Sequence, residues 1–106
     1  MDELGVDSQE LASEVVLPPY KQRGWVLEIK VTMAAGEVLG YESSADGKLN
    51  FNLHSHHGRD VRYHVQMDAP SVLGSFTAPE AHDFYAMWEN KQQSPVSLKF
   101  RLVRKK

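Results

Sequence analysis

Histidine supplies most of the side chains in this chain that could bind a metal ion. The sequence has five histidines and no cysteine. His54 and His56 lie two residues apart, so both rings leave the same face if this stretch is a strand. His64 follows a turn over residues 57–60 and could approach them if the two strands form a hairpin. Three imidazoles on one face suit Zn or Cu, so His54, His56 and His64 are the candidate metal site.

The alternative for the same residues is a polar, solvated strand face that happens to hold histidines. No acidic residue lies at a spacing that would orient the imidazoles from a second shell. A type 1 copper site needs a thiolate, which this chain cannot supply. The sequence therefore favours a domain without a resident cofactor, and keeps a zinc or copper site as the alternative.

Other kinds of chemistry have weaker support. Ser55 lies between two histidines, but it has no Gly-X-Ser-X-Gly context that would present it as a nucleophile. The carboxylates are scattered, and no glycine-rich loop could cradle a phosphate. We therefore expect no catalytic residue and a protein that is not an enzyme.

The elements that position these residues are indicated by alternation of apolar and polar side chains, which is typical of half-buried strands. From Trp25 onward the alternation recurs in short segments separated by turn residues, among them Asp46-Gly47 and residues 68–71. The fold class predicted is all-β: an antiparallel two-sheet β-sandwich, jelly-roll-like, with about seven or eight strands. The side chains expected to be buried are Trp25, Leu27, Ile29, Phe51, Leu53, Phe76, Met87, Leu98 and Phe100.

Charge is unevenly distributed along the 106 residues. Residues 1–14 are acidic and predict a flexible tail, with the β-sandwich domain over residues 15–106. The other end is basic, from Lys99 to Lys106. Net charge is −2, so no overall field attracts nucleic acid. No apolar run approaches membrane-spanning length, and a signal or anchor could lie upstream in a parent protein.

A series of short motifs lies in a fixed order between Trp25 and Val103. Its segments are Ala35–Leu39, Tyr41, Asp46-Gly47, Phe51–His54, Gly74–Pro79, Tyr85–Asn90 and Ser94–Leu98. The series resembles the GOLD (Golgi dynamics) domain, particularly its bacterial relatives. The turn over residues 80–83 lacks the glycine of those relatives, and the cysteine pair of the eukaryotic cargo receptors is absent. The resemblance implies a β-sandwich for protein or lipid contact, often tethered to a membrane in its parent protein, with no catalytic residue.

Taken together, the sequence predicts a non-enzymatic interaction module, the soluble domain of an envelope-associated bacterial protein. A protein or lipid partner is expected, and nucleic acid is not. A periplasmic or membrane-anchored extracytoplasmic location is favoured over the cytoplasm. The alternative function is a histidine-based metal-binding sandwich. Asn90, at the end of an aromatic strand, is predicted to have a structural role, because asparagine can bond to nearby main chain in a turn.

Overall fold

The computed structural model describes residues 2–5 and 9–106, and its regular secondary structure is β-strand. Seven strands are described, which confirms the all-β prediction. Within these ranges, no helix is long and apolar enough to cross a membrane. The strands are β1 Asp2–Leu4, β2 Glu10–Leu17, β3 Val26–Met33, β4 Val38–His57, β5 Asp60–Thr77, β6 His82–Glu89 and β7 Val96–Lys105.

Strand β4 organises the sheet because it is 20 residues long and has different neighbours along its two halves. One edge of β4 pairs with β5 in a long hairpin. On the other edge, residues 38–45 pair with β7 and residues 50–55 pair with β6. Strand β2 continues the sheet beyond β7, and β3 continues it beyond β6, with β1 parallel to β3. Instead of the expected two antiparallel sheets, the described strands form one nearly closed, barrel-like sheet.

The sheet curls where two predicted turns fall inside the β4–β5 hairpin. Asp46-Gly47 and residues 68–71 were expected to reverse the chain, but both strands run through, with a register shift between Ser44 and Leu49. The Asp46 carboxylate accepts a hydrogen bond of 2.8 Å from the Ser97 backbone N–H. A Cβ at Gly47 would lie only 3.0 Å from the Val96 side chain. These turn-forming residues therefore bend the hairpin and allow strand β7 to approach closely.

The core lies between the two halves of the curled sheet and is centred on aromatic rings. The Phe51 ring centroid lies 5.1 Å from that of Tyr41 and 5.0 Å from that of Trp88. Of the nine side chains predicted to be buried, Ile29, Phe51, Leu53, Leu98 and Phe100 are buried. The other four, Trp25, Leu27, Phe76 and Met87, are half-buried.

Met87 is half-buried where burial was predicted, because the side chains of β6 that face the core are those at even-numbered positions. Phe84, Ala86 and Trp88 point into the core, so the odd-numbered residues between them point outward. Strand β6 lies between β3 and β4, and its sequence is apolar on both faces, as is usual for a central strand.

The acidic N-terminal segment forms strands where a flexible tail over residues 1–14 was predicted. In β1, Leu4 is fully buried. Strand β2 crosses the predicted boundary at residue 15 and pairs with the basic strand β7. Glu10 lies 3.1 Å from Arg101, and Glu14 lies 3.7 Å from Lys99. The opposite charges of the two chain ends thus meet on adjacent strands; Met1 and residues 6–8 lie outside the described residues.

Asn90 has the structural role predicted for it. Its side chain is fully buried. The amide nitrogen donates to the carbonyl oxygens of Leu17, Pro18 and Ser94 at 3.0, 2.9 and 2.9 Å. Its side-chain oxygen accepts from the Gln92 backbone N–H at 2.9 Å. Asn90 therefore joins the end of β2 to the loop between β6 and β7.

Candidate functional site

The five histidines gather at one end of the sheet, in two clusters on opposite sides of strand β4. Side chains alternate along β4, so His54 and His56 face outward while Ser55 and His57 face the core side. The outer cluster consists of Glu28, Asn52, His54, His56, Tyr63 and Tyr85. The rim cluster consists of Ser55, His57, His64, Glu80 and His82.

A β-bulge separates the three histidines that the sequence placed on one face. Leu53 pairs with Val65 and His54 pairs with Tyr63, so His64 is the extra residue on β5. The His64 Nε2 atom lies 2.8 Å from the Ser55 hydroxyl, on the other side of the strand from His54. His54 and His56 do lie together, with ring centroids 5.1 Å apart. The structure therefore unites two of the three, and metal binding by the full set stays a prediction.

The outer cluster is built around a buried histidine. His54 is 4% exposed. Its Nδ1 lies 2.6 Å from the Asn52 side-chain oxygen and its Nε2 lies 3.2 Å from a Glu28 carboxylate oxygen. Two acceptors suit a protonated ring, whereas burial favours the neutral one. Burial is the larger effect, so the pKa of His54 lies below its ordinary value despite the attraction of Glu28.

Tyrosine rings cover His54 from neighbouring strands. Tyr85 on β6 stacks on it with centroids 5.4 Å apart and ring planes within 17°. Tyr63 on β5 lies 5.7 Å away on the other side and is 53% exposed. His56 meets Tyr85 edge to face at 5.2 Å, and exposed Val61 pairs with it across the hairpin. We call the surface formed by His56, Val61, Tyr63 and Tyr85 the outer face.

Two apolar residues of the outer face lie outside the core because of the bulge. Val61, Tyr63, Val65 and Met67 alternate with polar residues, which in a regular strand would place all four on one face. The bulge at His64 reverses the phase, so Val65 packs against the core while Val61 and Tyr63 are exposed. The sequence offers no signal for this bulge, because the alternation of residue types continues through it.

The rim cluster is a connected set of hydrogen bonds. The Ser55 hydroxyl lies 2.8 Å from the Nε2 atoms of both His57 and His64. His57 Nδ1 faces a Glu80 carboxylate oxygen at 3.8 Å. The His82 ring stacks on His57 with centroids 4.4 Å apart and planes within 3°, and its Nε2 lies 2.8 Å from the His56 carbonyl oxygen. Burial, followed by the electrostatic influence of the neighbouring His57, Arg62 and His82, lowers the pKa of His64.

The order Ser55–His57–Glu80 matches the connectivity of a hydrolytic triad, but the surroundings do not allow that chemistry. The Ser55 side chain has no exposed surface. A triad serine must reach a substrate carbonyl, and this hydroxyl is covered by protein. Sequence reasoning missed the approach of Glu80 and His82 because both lie in or beside the β5–β6 loop, 23 or more residues from His57.

Surface depressions lie on both halves of the sheet. One of about 370 Å³ lies beside the histidines, between residues that include His56, His82 and Tyr85. A larger groove of about 740 Å³ lies on the other half of the sheet, over β2, β7, β4 and β5. The larger groove carries charged pairs such as Arg101 with Glu42 but none of the histidines. Chemistry rather than size therefore identifies the histidine end as the candidate site.

No family model matches this chain, and no curated protein matches it either. Among solved structures it is similar to PliG from Aeromonas hydrophila, a periplasmic inhibitor of g-type lysozyme. The identity is 11%, the TM-score is 0.65, and the match covers 98% of this chain and 96% of that one. PliG from Salmonella Typhimurium gives 10% identity and a TM-score of 0.62, covering 99% of each chain.

A third similar structure is the pre-peptidase C-terminal domain of a Bacillus anthracis collagenase. Its identity is 10% and its TM-score is 0.69, with 98% of this chain and 93% of that one covered. At these identities the similarity is one of fold. It agrees with a small all-β domain, and it does not confirm the more specific GOLD resemblance.

Proposed function

We propose that this chain is a non-enzymatic binding module that works outside the cytoplasm, as the soluble domain of an envelope-associated bacterial protein. Its partner is a protein, which it contacts through the outer face. The observation that carries the proposal is the pairing of exposed Tyr63 and Val61 with a fixed, hydrogen-bonded His54 beneath them. The periplasmic setting of the two PliG proteins supports the location.

The outer face has the properties of a prepared contact surface. Tyrosine offers a large amphipathic area at little conformational cost, and it is enriched in protein interfaces. His54 is held between Asn52 and Glu28 and contacts two tyrosine rings. Because these side chains are already fixed, binding a partner costs little further conformational entropy. A solvated strand face without a partner has no need for a buried histidine in such a setting.

A protein partner is favoured over a lipid surface by charge. Contacts with anionic lipid usually rely on a cluster of Lys and Arg. Around the outer face, Glu28 bonds to His54 and Asp83 accepts a 2.8 Å hydrogen bond from Thr32, while Lys30 lies 3.6 Å from Glu3. Acidic groups thus outnumber the one lysine among these contacts, which suits a specific polar contact better than an anionic lipid surface.

Site-specific photocrosslinking tests the proposal. A photoreactive amino acid replaces Tyr63, and the matched control carries it at Leu73, which is 78% exposed on the same strand but on the other half of the sheet. We expect a discrete protein adduct in an envelope fraction from position 63, weakened by His56→Ala, and none from position 73. Equal labelling from both positions would contradict a dedicated face, and sedimentation with phosphatidylglycerol vesicles would indicate a lipid partner instead.

A second candidate is inhibition of g-type lysozyme. It is favoured by similarity to two PliG structures over 98% and 99% of this chain. Purified chain is added to a g-type lysozyme in a cell-lysis assay, with Tyr63→Ala as the variant of the outer face. If the chain inhibits the lysozyme and Tyr63→Ala weakens that inhibition, the lysozyme is a protein partner of the outer face and the two candidate functions agree. Absence of inhibition at micromolar concentrations would exclude this candidate and leave the photocrosslinking test of the first one standing.

A further inference from the structure

We propose that the rim cluster binds one divalent metal ion, with a preference for Zn²⁺, through His57, His82 and Glu80. This site lies across β4 from His54 and shares none of the three histidines that the sequence put forward. It is also independent of the outer face, so it stands or fails separately from the proposed function.

The ligand atoms already lie close together. One nitrogen from each of His57 and His82 and one carboxylate oxygen of Glu80 lie within 4.8 Å of one another. Zinc bonds to such atoms are about 2.0–2.1 Å long, so ligand atoms around one tetrahedral ion lie about 3.4 Å apart. The required contraction is small for Glu80, whose side chain is 53% exposed and extends from a loop.

The hydrogen bonds are compatible with a lone pair on each ring where the ion would bind. The His82 Nε2 lies 2.8 Å from the His56 carbonyl oxygen, which can only accept, so Nε2 carries the hydrogen and Nδ1 has the lone pair. Zinc binding requires the His57 tautomer in which Nε2 donates to the Ser55 hydroxyl, 2.8 Å away, and Nδ1 faces Glu80 with its lone pair. In that tautomer the Ser55 hydroxyl can donate to His64 Nε2. Support of the far ring nitrogen by a carbonyl or hydroxyl is the usual arrangement around metal-binding histidines.

Binding requires the two stacked rings to turn apart. Parallel rings with centroids 4.4 Å apart cannot both direct an in-plane lone pair at one ion. His82 is the first residue of β6, directly after the loop over residues 78–81, so it is the ring with more freedom to rotate. Opening of the stack is therefore a specific consequence of metal binding, and it is observable as a change in the imidazole resonances of both rings.

The donor set selects the metal. Two imidazoles and one carboxylate suit Zn²⁺, with a fourth position left for water. Ca²⁺ and Mg²⁺ prefer oxygen ligands and should bind poorly. His57 is the last residue of β4, and Glu80 belongs to the loop between β5 and β6. A bound ion would therefore tie the end of the β4–β5 hairpin to the neighbouring loop, which should stabilise the folded protein.

Calorimetry on metal-stripped protein without an affinity tag tests the site. We expect one Zn²⁺ per chain with a dissociation constant of about 10 µM or tighter, and no comparable heat with Mg²⁺. His57→Gln and His82→Gln should each weaken binding at least tenfold, and Glu80→Gln should weaken it less. The matched control is His56→Gln, whose exposed ring lies outside the cluster and which should bind as the wild-type protein does.

Two further measurements keep the test decisive. Thermal unfolding without metal shows whether each variant is folded, and imidazole nitrogen NMR of the wild-type protein reports directly on the His57 and His82 rings when Zn²⁺ is added. Loss of binding in His56→Gln with binding retained in His82→Gln would move the site to the outer cluster and overturn the proposal. Absence of saturable Zn²⁺ binding to the folded wild-type protein would also overturn it.

Discussion

Replacing Asn90 by alanine tests how much one buried amide contributes to this fold. The wild-type side chain is fully buried, directs its two amide hydrogens at three main-chain carbonyls and accepts one main-chain N–H. A buried polar group left without its partner costs about 1–3 kcal/mol, and these groups can share part of the loss by relaxing or by admitting water. We therefore expect Asn90→Ala to lower the free energy of unfolding by about 2–4 kcal/mol.

Urea unfolding followed by tryptophan fluorescence measures this change, because Trp88 is buried in the core. In a domain of this size, 1 kcal/mol corresponds to about 4–8 °C in the thermal unfolding midpoint, so a fall of at least about 8 °C is expected as well. Asn90→Asp is the informative companion. It keeps the oxygen that Gln92 needs but turns a carboxylate toward three carbonyls, so it should destabilise at least as much as alanine. A loss under about 0.5 kcal/mol in Asn90→Ala would refute the reasoning.

Three other substitutions or conditions have defined outcomes. Because the pKa values of His54 and His64 are lowered in the folded protein, the unfolded chain takes up protons first as pH falls, so the free energy of unfolding should be largest above about pH 6.5 and decline below it. Urea unfolding at pH 7.5 and 5.5 measures this decline, which should be smaller in His54→Gln. Equal stability at the two pH values would contradict the expectation. Gly74→Ala would bring its new Cβ into overlap with the Tyr41 hydroxyl and should lower the free energy of unfolding by about 1–3 kcal/mol. Adding Tyr41→Phe removes that hydroxyl, so the double variant should recover part of the loss. If the effects of the two substitutions simply add, the clash is absent. Phe51→Ala should lower stability by about 3–5 kcal/mol in the same assay, and a loss below 1 kcal/mol would mean that the aromatic core is not centred there.

Much of the fold could be predicted because the strands are half-buried and their patterns are local. Strand β3 alternates over its whole length, and its end at Met33 is followed by a turn in which Gly36 has a φ of 86°. The turn after His57 was predicted, and Gly58 there has a φ of 64°. In both places the backbone adopts a positive φ, which favours glycine, so the sequence itself indicates the turn.

The remaining errors come from long-range pairing. Asp46-Gly47 has the composition of a hairpin turn, but strand β7 approaches it and the chain continues forward. Likewise, nothing in residues 1–14 indicates that β2 will find β7 more than 80 positions away. Of the candidate site, the proximity of His54 and His56 was predictable from strand geometry. The bulge at His64 and the approach of Glu80 depend on register, which a single sequence does not specify.

The length of strand β5 has a consequence for the protein in concentrated solution. Over 18 residues it pairs, among the described strands, with β4 alone, so its other side offers backbone N–H and C=O groups to any extended chain. Pro70 interrupts that row because it has no N–H, and the irregular backbone at His64 breaks it a second time. These two interruptions shorten the continuous edge that another chain could pair with, and replacing Pro70 with a β-branched residue such as valine should make the protein more prone to aggregate.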